Sequence, residues 1–352
     1  MKASASPDLG GQLGKILDEY VRSGRITAAL RFVLLGLADA GARISALIAK
    51  GPLGRALAAD TGLANRDGDS QKALDILANE IVIDALRSTS TAYYVSEELD
   101  AVSTLDPRGE LAVAVDPLDG SSNIDANISI GTIFSIFGVS PNGASASFLR
   151  PGREQLAAGY FIYGPHTALV LTVRDGVDLY VLDAASREFR LARVRLSIPA
   201  STNEFAINAS NYRHWFDPVR NFIDDCLDGA KGPRGKDFNM RWIASLIAEA
   251  HRILSRGGVF LYPSDQRPGY ENGRLRLAYE AAPIALIMEQ AGGQASDGST
   301  PILDKVPRHF HERTPLIFGS AEKVARIASY HVNPEFQRQT SPLFGQRGLF
   351  RS

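Results

Sequence analysis

The sequence predicts an α/β (α+β) protein in which sheets are covered by helices. Residues 13–87 have the apolar spacing of amphipathic helices, residues 93–191 are dominated by strand patterns, and strand and helix patterns alternate from about residue 205 onward. The strand-rich pattern ends near residue 200, and the alternation of strands and helices begins after it. We therefore expect an amino-terminal domain over residues 1–200, a second domain over 201–335 and a polar tail over 336–352.

The amino-terminal segment is predicted to contain three helices. Apolar residues recur every three or four positions in 13–20, 28–49 and 71–87, which gives each segment one apolar face. Residues 51–70 lie between the second and third helices and are rich in glycine. Their composition leaves a plain linker and a mobile lid equally open.

Strands are predicted where short apolar runs are rich in β-branched and aromatic residues. The runs 93–95, 112–115 and 133–137 have this character, and 157–163, 168–173 and 177–182 predict a meander with a turn at Asp175-Gly176. The second half predicts strands at 205–207, 259–262 and 316–318, and helices at 219–227, 239–254, 279–290 and 321–329.

Composition is that of an ordinary globular protein. Of the 352 residues 45% are hydrophobic, as in ordinary globular proteins. The formal net charge of -1 argues against a nucleic-acid partner. Cys226 is the one cysteine, so no intrachain disulfide can form. The apolar segment 28–49 is interrupted by Arg31, Asp39 and Arg43, and the first residues lack the apolar core of a signal peptide. We expect a soluble cytoplasmic protein.

The most informative motif follows the apolar run 112–115. Asp116 and Asp119 can bind hard cations through oxygen, and the turn formed by Gly120, Ser121 and Ser122 can direct backbone N–H groups at an anion. Asp-Pro and Asp-Gly are also ordinary turn formers, so a plain loop is the alternative.

A second pair of acids, Glu97 and Glu98, ends the preceding apolar run. Neither acidic segment contains a lysine or arginine, and uncompensated carboxylates would have to take up protons, so a divalent metal is the simpler prediction. Asp75 and Glu280 would join the cluster if their helices face it, although each could equally be a surface acid. All-oxygen ligands favour Mg²⁺ or Mn²⁺ over zinc, and a multi-metal site suits phosphate-ester hydrolysis.

Cationic anchors for a phosphorylated substrate are available in the second half. Arg241, Arg274 and Arg276 carry guanidinium groups that suit bidentate phosphate contacts, and Asn208 and Tyr262 follow or end short strands, where ligands normally bind. Taken singly, each is more often a surface residue.

These motifs resemble class I fructose-1,6-bisphosphatases over roughly residues 30–330. The Asp-Pro-Leu-Asp-Gly-Ser-Ser motif is shared with inositol monophosphatases, and the carboxy-terminal motifs narrow the resemblance to sugar bisphosphatases. The similar segments are 96–98, 116–125, 129–134, 251–252, 257–263, 273–280 and 288–293.

The resemblance implies a five-layered α/β/α/β/α sugar-phosphatase fold and a homotetramer. It implies hydrolysis of fructose 1,6-bisphosphate to fructose 6-phosphate, in gluconeogenesis or the Calvin cycle, with two or three Mg²⁺ per subunit or with Mn²⁺ instead. By position Asp75 and Glu98 would orient or deprotonate the attacking water. The implied metal ligands are Glu97, Glu98, Asp116, the carbonyl of Leu118, Asp119 and Glu280.

The resemblance also implies how substrate binds. Segment 51–72, with Asn65 and Asp69, would close over the metals as a lid. Asp119, Gly120, Ser121 and Ser122 would hold the 1-phosphate. The 6-phosphate and the sugar would be bound by Asn208, Tyr262, Arg274 and, from a neighbouring subunit, Arg241.

Some positions depart from the family pattern. Arg274 stands where lysine is usual, and Trp242 stands where tyrosine is usual. Two rival functions stay open: hydrolysis of sedoheptulose 1,7-bisphosphate, alone or as a second activity, and, more remotely, a sugar-phosphate sensor without catalysis.

AMP inhibition of the kind found in the family is expected to be weak. Segment 27–31 lacks the glycine and glutamate expected at the AMP-binding helix start, and Glu110 lies where a lysine–tyrosine pair would bind the AMP phosphate. A carboxylate there would repel that phosphate. We expect phosphate release to persist at AMP concentrations on the order of 1 mM. Inhibition in the micromolar range would contradict this interpretation of Glu110.

Overall fold

A computed structural model describes residues 9–51 and 70–333. Asn65 and Asp69, which were predicted to lie in a lid, fall outside the described residues, as does the predicted tail 336–352. No helix in the described ranges has both the length and the apolar character needed to cross a bilayer. The α-helices of these ranges are α1 (Leu13–Arg22), α2 (Ala28–Ile48), α3 (Ser70–Leu86), α4 (Asp217–Leu227), α5 (Leu246–Arg256), α6 (Ala282–Gln290) and α7 (Ala321–Val332).

The larger sheet has eight strands in the order β2-β1-β3-β4-β5-β6-β7-β8. The β1–β3 pair is parallel and all the other pairs are antiparallel, so the predicted meander is present. The strands are β1 (Thr91–Ser96), β2 (Ser103–Thr104), β3 (Leu111–Asp119), β4 (Ile130–Gly138), β5 (Ala157–Tyr163), β6 (Thr167–Thr172), β7 (Asp178–Asp183) and β8 (Glu188–Arg193).

The smaller sheet has five strands in the order β10-β9-β11-β15-β13, and β12 and β14 form a separate antiparallel pair. The strands of the second half are β9 (Glu204–Ala206), β10 (Asn239–Met240), β11 (Val259–Tyr262), β12 (Leu275–Arg276), β13 (Gln294–Ser296), β14 (Arg313–Thr314) and β15 (Leu316–Gly319).

The helices and sheets form alternating layers. Phe134 and Phe161 of the larger sheet belong to the core that packs against α1, α2 and α3. The neighbouring residues Ile133 and Tyr160 belong to a second core, which also contains residues of α5, α6 and the smaller sheet. A third core joins the smaller sheet to α4 and α7. Because both faces of the larger sheet are covered at its centre, strands β3 to β6 are buried along nearly their whole length, whereas the outer strands β2, β7 and β8 carry partly exposed polar residues. The predicted α/β fold is confirmed.

Two predicted helices begin differently from the expectation. The helix predicted over 239–254 begins only at Leu246, because Ser245 caps it by accepting a hydrogen bond from the Ala248 N–H at 3.3 Å. Residues Asn239–Met240 pair with β9 as a short strand. The helix predicted over 279–290 starts with a π-helical turn at Leu277–Ala281.

Two helical glycines should respond oppositely to alanine. A Cβ at Gly41 of α2 would lie 2.5 Å from the Phe161 ring, which is buried in the first core, whereas the nearest atom to a Cβ at Gly14 of α1 is 3.9 Å away. Gly41→Ala should lower the free energy of unfolding by about 1–3 kcal/mol through overpacking. Gly14→Ala should raise it by about 0.5–1 kcal/mol, since alanine is the better helix former. Urea unfolding of both variants measures this, and a stabilised Gly41→Ala variant would contradict close packing there.

Candidate active site

A bulge at the end of β3 turns two acids toward the same place. Asp116 pairs with Ile133 of β4 and Asp119 pairs with Gly131, so β3 has one more residue than β4 between the two pairs. Side chains three residues apart in a regular strand point to opposite faces of the sheet. The extra residue turns both side chains toward the same face of the sheet, so the two carboxylates can lie close together.

A third acid reaches the same place from the second half of the chain. Glu280 lies in the π-helical turn before α6, and one oxygen from each of Asp116, Asp119 and Glu280 lies within 4.8 Å of the other two. The three residues are 5%, 7% and 7% exposed. Of the two helical acids that were predicted to join the strand-end acids, Glu280 thus belongs to the buried group.

Backbone N–H groups hold the three carboxylates. The Leu118 N–H donates to Asp116 at 3.0 Å, within the bulge. The Ile247 N–H in the first turn of α5 donates to Asp119 at 3.3 Å, where the positive end of the helix dipole favours a negative charge. The Arg276 N–H donates to Glu280. The carboxylates are therefore oriented by the folded backbone.

Burial and repulsion nevertheless oppose ionisation of these acids. Burial, together with the nearby Glu97 charge, raises the pKa values of Asp116 and Glu280 well above the usual range for carboxyl groups. Burial raises the pKa of Asp119 to about 7, with a further contribution from Glu97. Three oxygen-only ligands that cannot all stay ionised by themselves fit a hard divalent cation, whose charge would restore the ionised forms.

Glu97 and Glu98 follow β1 at the margin of this cluster. The Glu97 carboxylate accepts a hydrogen bond from Arg276 Nε at 3.1 Å, and Arg276 Nη1 donates to the His311 carbonyl at 3.1 Å. The acidic segments themselves contain no basic residue, as the sequence shows, and Arg276 reaches Glu97 from β12, a distant segment of the sequence. Glu98 is exposed and is not one of the three converging acids; its N–H donates to Ser96 Oγ at 3.2 Å.

The turn after β3 contacts another predicted site residue. Ser121 Oγ donates to the Asp75 carboxylate of α3 at 3.3 Å. Gly120 has a φ of 78°, a left-handed conformation that glycine adopts easily, and it starts the short 3₁₀ helix Ser121–Asn123. Ser122 in this helix is exposed. Leu118, whose carbonyl was predicted to bind metal, is 6% exposed between the two β3 acids.

The residues predicted to bind the 6-phosphate and the sugar lie in two separate places. Asn208 and Tyr262 line one cleft together with Tyr270, and Arg274 Nη1 donates to the Tyr270 hydroxyl at 3.0 Å. The Asn208 side chain accepts hydrogen bonds from Ser210, which positions its amide.

Arg241 lies directly after β10, the edge strand of the smaller sheet. Its side chain is 51% exposed, and its Nε is 3.6 Å from Glu204 Oε1. Sequence reasoning did not single out Glu204 or Tyr270, because neither lies in a motif.

The layered α/β fold and the buried, oxygen-only acid cluster are those of a metal-dependent sugar phosphatase. Comparison with known proteins narrows this class. Residues 14–194 match the family model for the fructose-1-6-bisphosphatase N-terminal domain, and residues 198–332 match the model for the C-terminal domain. The chain belongs to the fructose-1,6-bisphosphatase family, and the resemblance seen in its motifs is confirmed.

Relatives cover nearly the whole chain. A fructose-1,6-bisphosphatase class 1 of Paracoccus denitrificans is 56% identical over 95% of this chain and 99% of its own length. A protein of the same name from Rhodopseudomonas palustris is 52% identical over 98% of this chain and 100% of its own length. The crystal structure of Leishmania major fructose-1,6-bisphosphatase in holo form has a TM-score of 0.79 and 30% identity, and the match covers 92% of this chain and 99% of that one.

The metal-free protein should lose stability as pH rises. In the unfolded chain an aspartic acid ionises near pH 4, whereas folded Asp119 keeps its proton up to about pH 7. The folded state binds more protons between these values, so the free energy of unfolding should fall from pH 5 to pH 8 in EDTA. Asp119→Asn should match wild type at pH 5 and exceed it by about 1–3 kcal/mol at pH 8. Urea unfolding at both pH values measures the difference.

Magnesium provides the control for this experiment. Millimolar Mg²⁺ should raise the stability of wild type at pH 8 and have less effect on Asp119→Asn, because a ligand that binds only the folded state stabilises it. If Asp119→Asn is less stable than wild type at pH 8 in EDTA, the carboxylates do not repel one another as described.

Proposed function

We propose that this protein hydrolyses D-fructose 1,6-bisphosphate to D-fructose 6-phosphate and phosphate. The observation that carries the proposal is the short segment Arg274–Arg276. Arg276 contacts Glu97 beside the acid cluster, and Arg274 contacts Tyr270 beside the cleft. Residues two apart in an extended segment are about 7 Å apart. A short sugar with a phosphate at each end can therefore reach the acid cluster and Arg274 together.

Metal binding is assigned to the acid cluster and its margin. We propose that each subunit binds two or three Mg²⁺ ions, with Mn²⁺ as the alternative. The convergence of three buried acids supports this assignment. A divalent ion bound there would lower the pKa of a water and stabilise charge on the phosphate oxygens. The proposed ligands are Glu97, Glu98, Asp116, the Leu118 carbonyl, Asp119 and Glu280.

Two acids are assigned to the attacking water. Glu98 is exposed at the margin of the cluster, so its carboxylate is accessible to a water that enters from solvent. Asp75 accepts a hydrogen bond from Ser121, which ties this acid to the turn after β3. In the proposal these two carboxylates orient the water and accept its proton, as a general base does.

The two phosphates are assigned to separate anchors. Asp119, Gly120, Ser121 and Ser122 hold the 1-phosphate, and the left-handed Gly120 supports this because it starts a turn whose N–H groups can face an anion. Asn208, Tyr262 and Arg274 hold the 6-phosphate and the sugar.

Arg241 is assigned to the active site of a neighbouring subunit in a homotetramer. Its exposure at the edge of the smaller sheet supports this role. We also propose that Asn65 and Asp69 belong to a lid over the metals and that a domain boundary lies near residue 200. The proposed location is the cytoplasm, and the proposed role is in gluconeogenesis or the Calvin cycle. The gap between the two matched segments supports the boundary. The family match favours neither sedoheptulose 1,7-bisphosphate nor a sensor role.

Glu98→Gln tests the proposed chemistry. The variant should release phosphate from fructose 1,6-bisphosphate at least about 100-fold more slowly than wild type, because an amide cannot accept the proton of the water. Glu98 is exposed, so the melting temperature should stay within about 2 °C of wild type. Turnover is measured by phosphate release with and without Mg²⁺.

The exposed acid Glu19 of α1 provides the matched control. Glu19→Gln makes the same chemical change outside the proposed site and should leave turnover unchanged. Near-normal turnover of Glu98→Gln would remove Glu98 from the mechanism. Failure of wild type to hydrolyse either bisphosphate with Mg²⁺ would overturn the proposed function.

A further inference from the structure

We propose that Tyr270 is a positioning residue that fixes Arg274 and offers its own hydroxyl to the distal phosphate of the substrate. The inference rests on the proposed function, because it assigns a role within the site that binds the bisphosphate. It concerns a tyrosine in the loop between β11 and β12.

Tyr270 contacts Arg274 in two ways. Arg274 Nη1 donates to the Tyr270 hydroxyl at 3.0 Å, and the guanidinium carbon lies 4.7 Å from the centre of the Tyr270 ring. The guanidinium carbon of Arg267 lies 4.1 Å from the same centre. The ring thus contacts two cations, one through both its face and its hydroxyl.

The two arginines differ in their other partners. Arg267 is held by the carboxylate of Asp265, which is 3% exposed. In the described part of the chain Arg274 forms no ion pair with a carboxylate. Arg274 is exposed, so its charge is available to an anion, and Tyr270 is the group that orients it.

The loop holds Tyr270 firmly enough for this role. Its carbonyl accepts the N–H groups of Asp265 at 3.2 Å and Gly273 at 3.0 Å, and its N–H donates to the Arg267 carbonyl at 3.0 Å. Gly273 has a φ of 74°, and a Cβ there would lie 2.3 Å from the backbone nitrogen of Pro315. Only glycine fits at this point, so the chain between Tyr270 and Arg274 has little freedom.

The hydroxyl can serve the arginine and the phosphate at once. A phenol accepts a hydrogen bond and also has one O–H to donate. Stacking of the guanidinium on the ring reduces the freedom that a long side chain must lose when it binds an anion. A phosphate placed against Arg274 would then accept hydrogen bonds from both residues.

Removal of the hydroxyl tests the inference. Tyr270→Phe should raise KM for fructose 1,6-bisphosphate about tenfold, because a hydrogen bond to a charged group is lost, and should leave kcat within about twofold of wild type. Calorimetric binding of fructose 6-phosphate, which keeps the distal phosphate, should weaken by the same factor. In an Arg274→Lys background, where the planar fork is absent, Tyr270→Phe should raise KM by a smaller factor of about threefold, because only the direct hydrogen bond to the phosphate is then lost.

Tyr20 provides the matched control, because its hydroxyl also pairs with a polar group and its ring also contacts an arginine. It donates to Asp178 at 3.0 Å, and the Arg25 guanidinium carbon lies 4.9 Å from its ring centre. Tyr20→Phe should leave KM unchanged. An unchanged KM in Tyr270→Phe, or the same change in both Arg274 backgrounds, would overturn the role of Tyr270. If wild type hydrolyses no bisphosphate, the proposed function fails, and fructose 6-phosphate binding still decides the role of Tyr270.

Discussion

Repulsion among buried carboxylates is the constraint on which the rest of the site depends. Asp116, Asp119 and Glu280 are each less than a tenth exposed, and their oxygens come within 4.8 Å of one another. Without a counter-charge such a group must hold protons, because ionised acids in a poorly solvated place repel each other strongly. The fold therefore brings together an acidic cluster that could hold a metal ion at one point.

Different parts of the chain share the work of holding these acids. The bulge in β3 aligns two of them, the first turn of α5 donates an N–H to Asp119, and the π-helical turn before α6 supplies Glu280. Arg276 forms an ion pair with Glu97 at the margin, whereas within residues 9–51 and 70–333 no lysine or arginine side chain forms an ion pair with the three buried acids. The protein thus compensates the outer acid internally and leaves the inner acids to a ligand.

Local features of the sequence predicted the layers and part of the site. The apolar strands of the larger sheet were visible because both of its faces are covered at its centre, and Asp116 and Asp119 were visible because they follow such a strand directly. The pairing of Glu97 with Arg276 was not predictable, since 179 residues separate the two and no periodicity relates them. The helix predicted to begin at residue 239 begins only at Leu246, because Ser245 caps its first turn. Tyr270 went unnoticed for a similar reason, since its role depends on a contact and not on a motif.

The origin of Glu280 has a consequence for motion. Asp116 and Asp119 belong to the segment matched by the amino-terminal family model, and Glu280 belongs to the segment matched by the carboxy-terminal one. An ion coordinated by all three acids would link the two matched segments. Any rotation of one half against the other would stretch its coordination, and by thermodynamic reciprocity occupancy of the ion would resist that rotation.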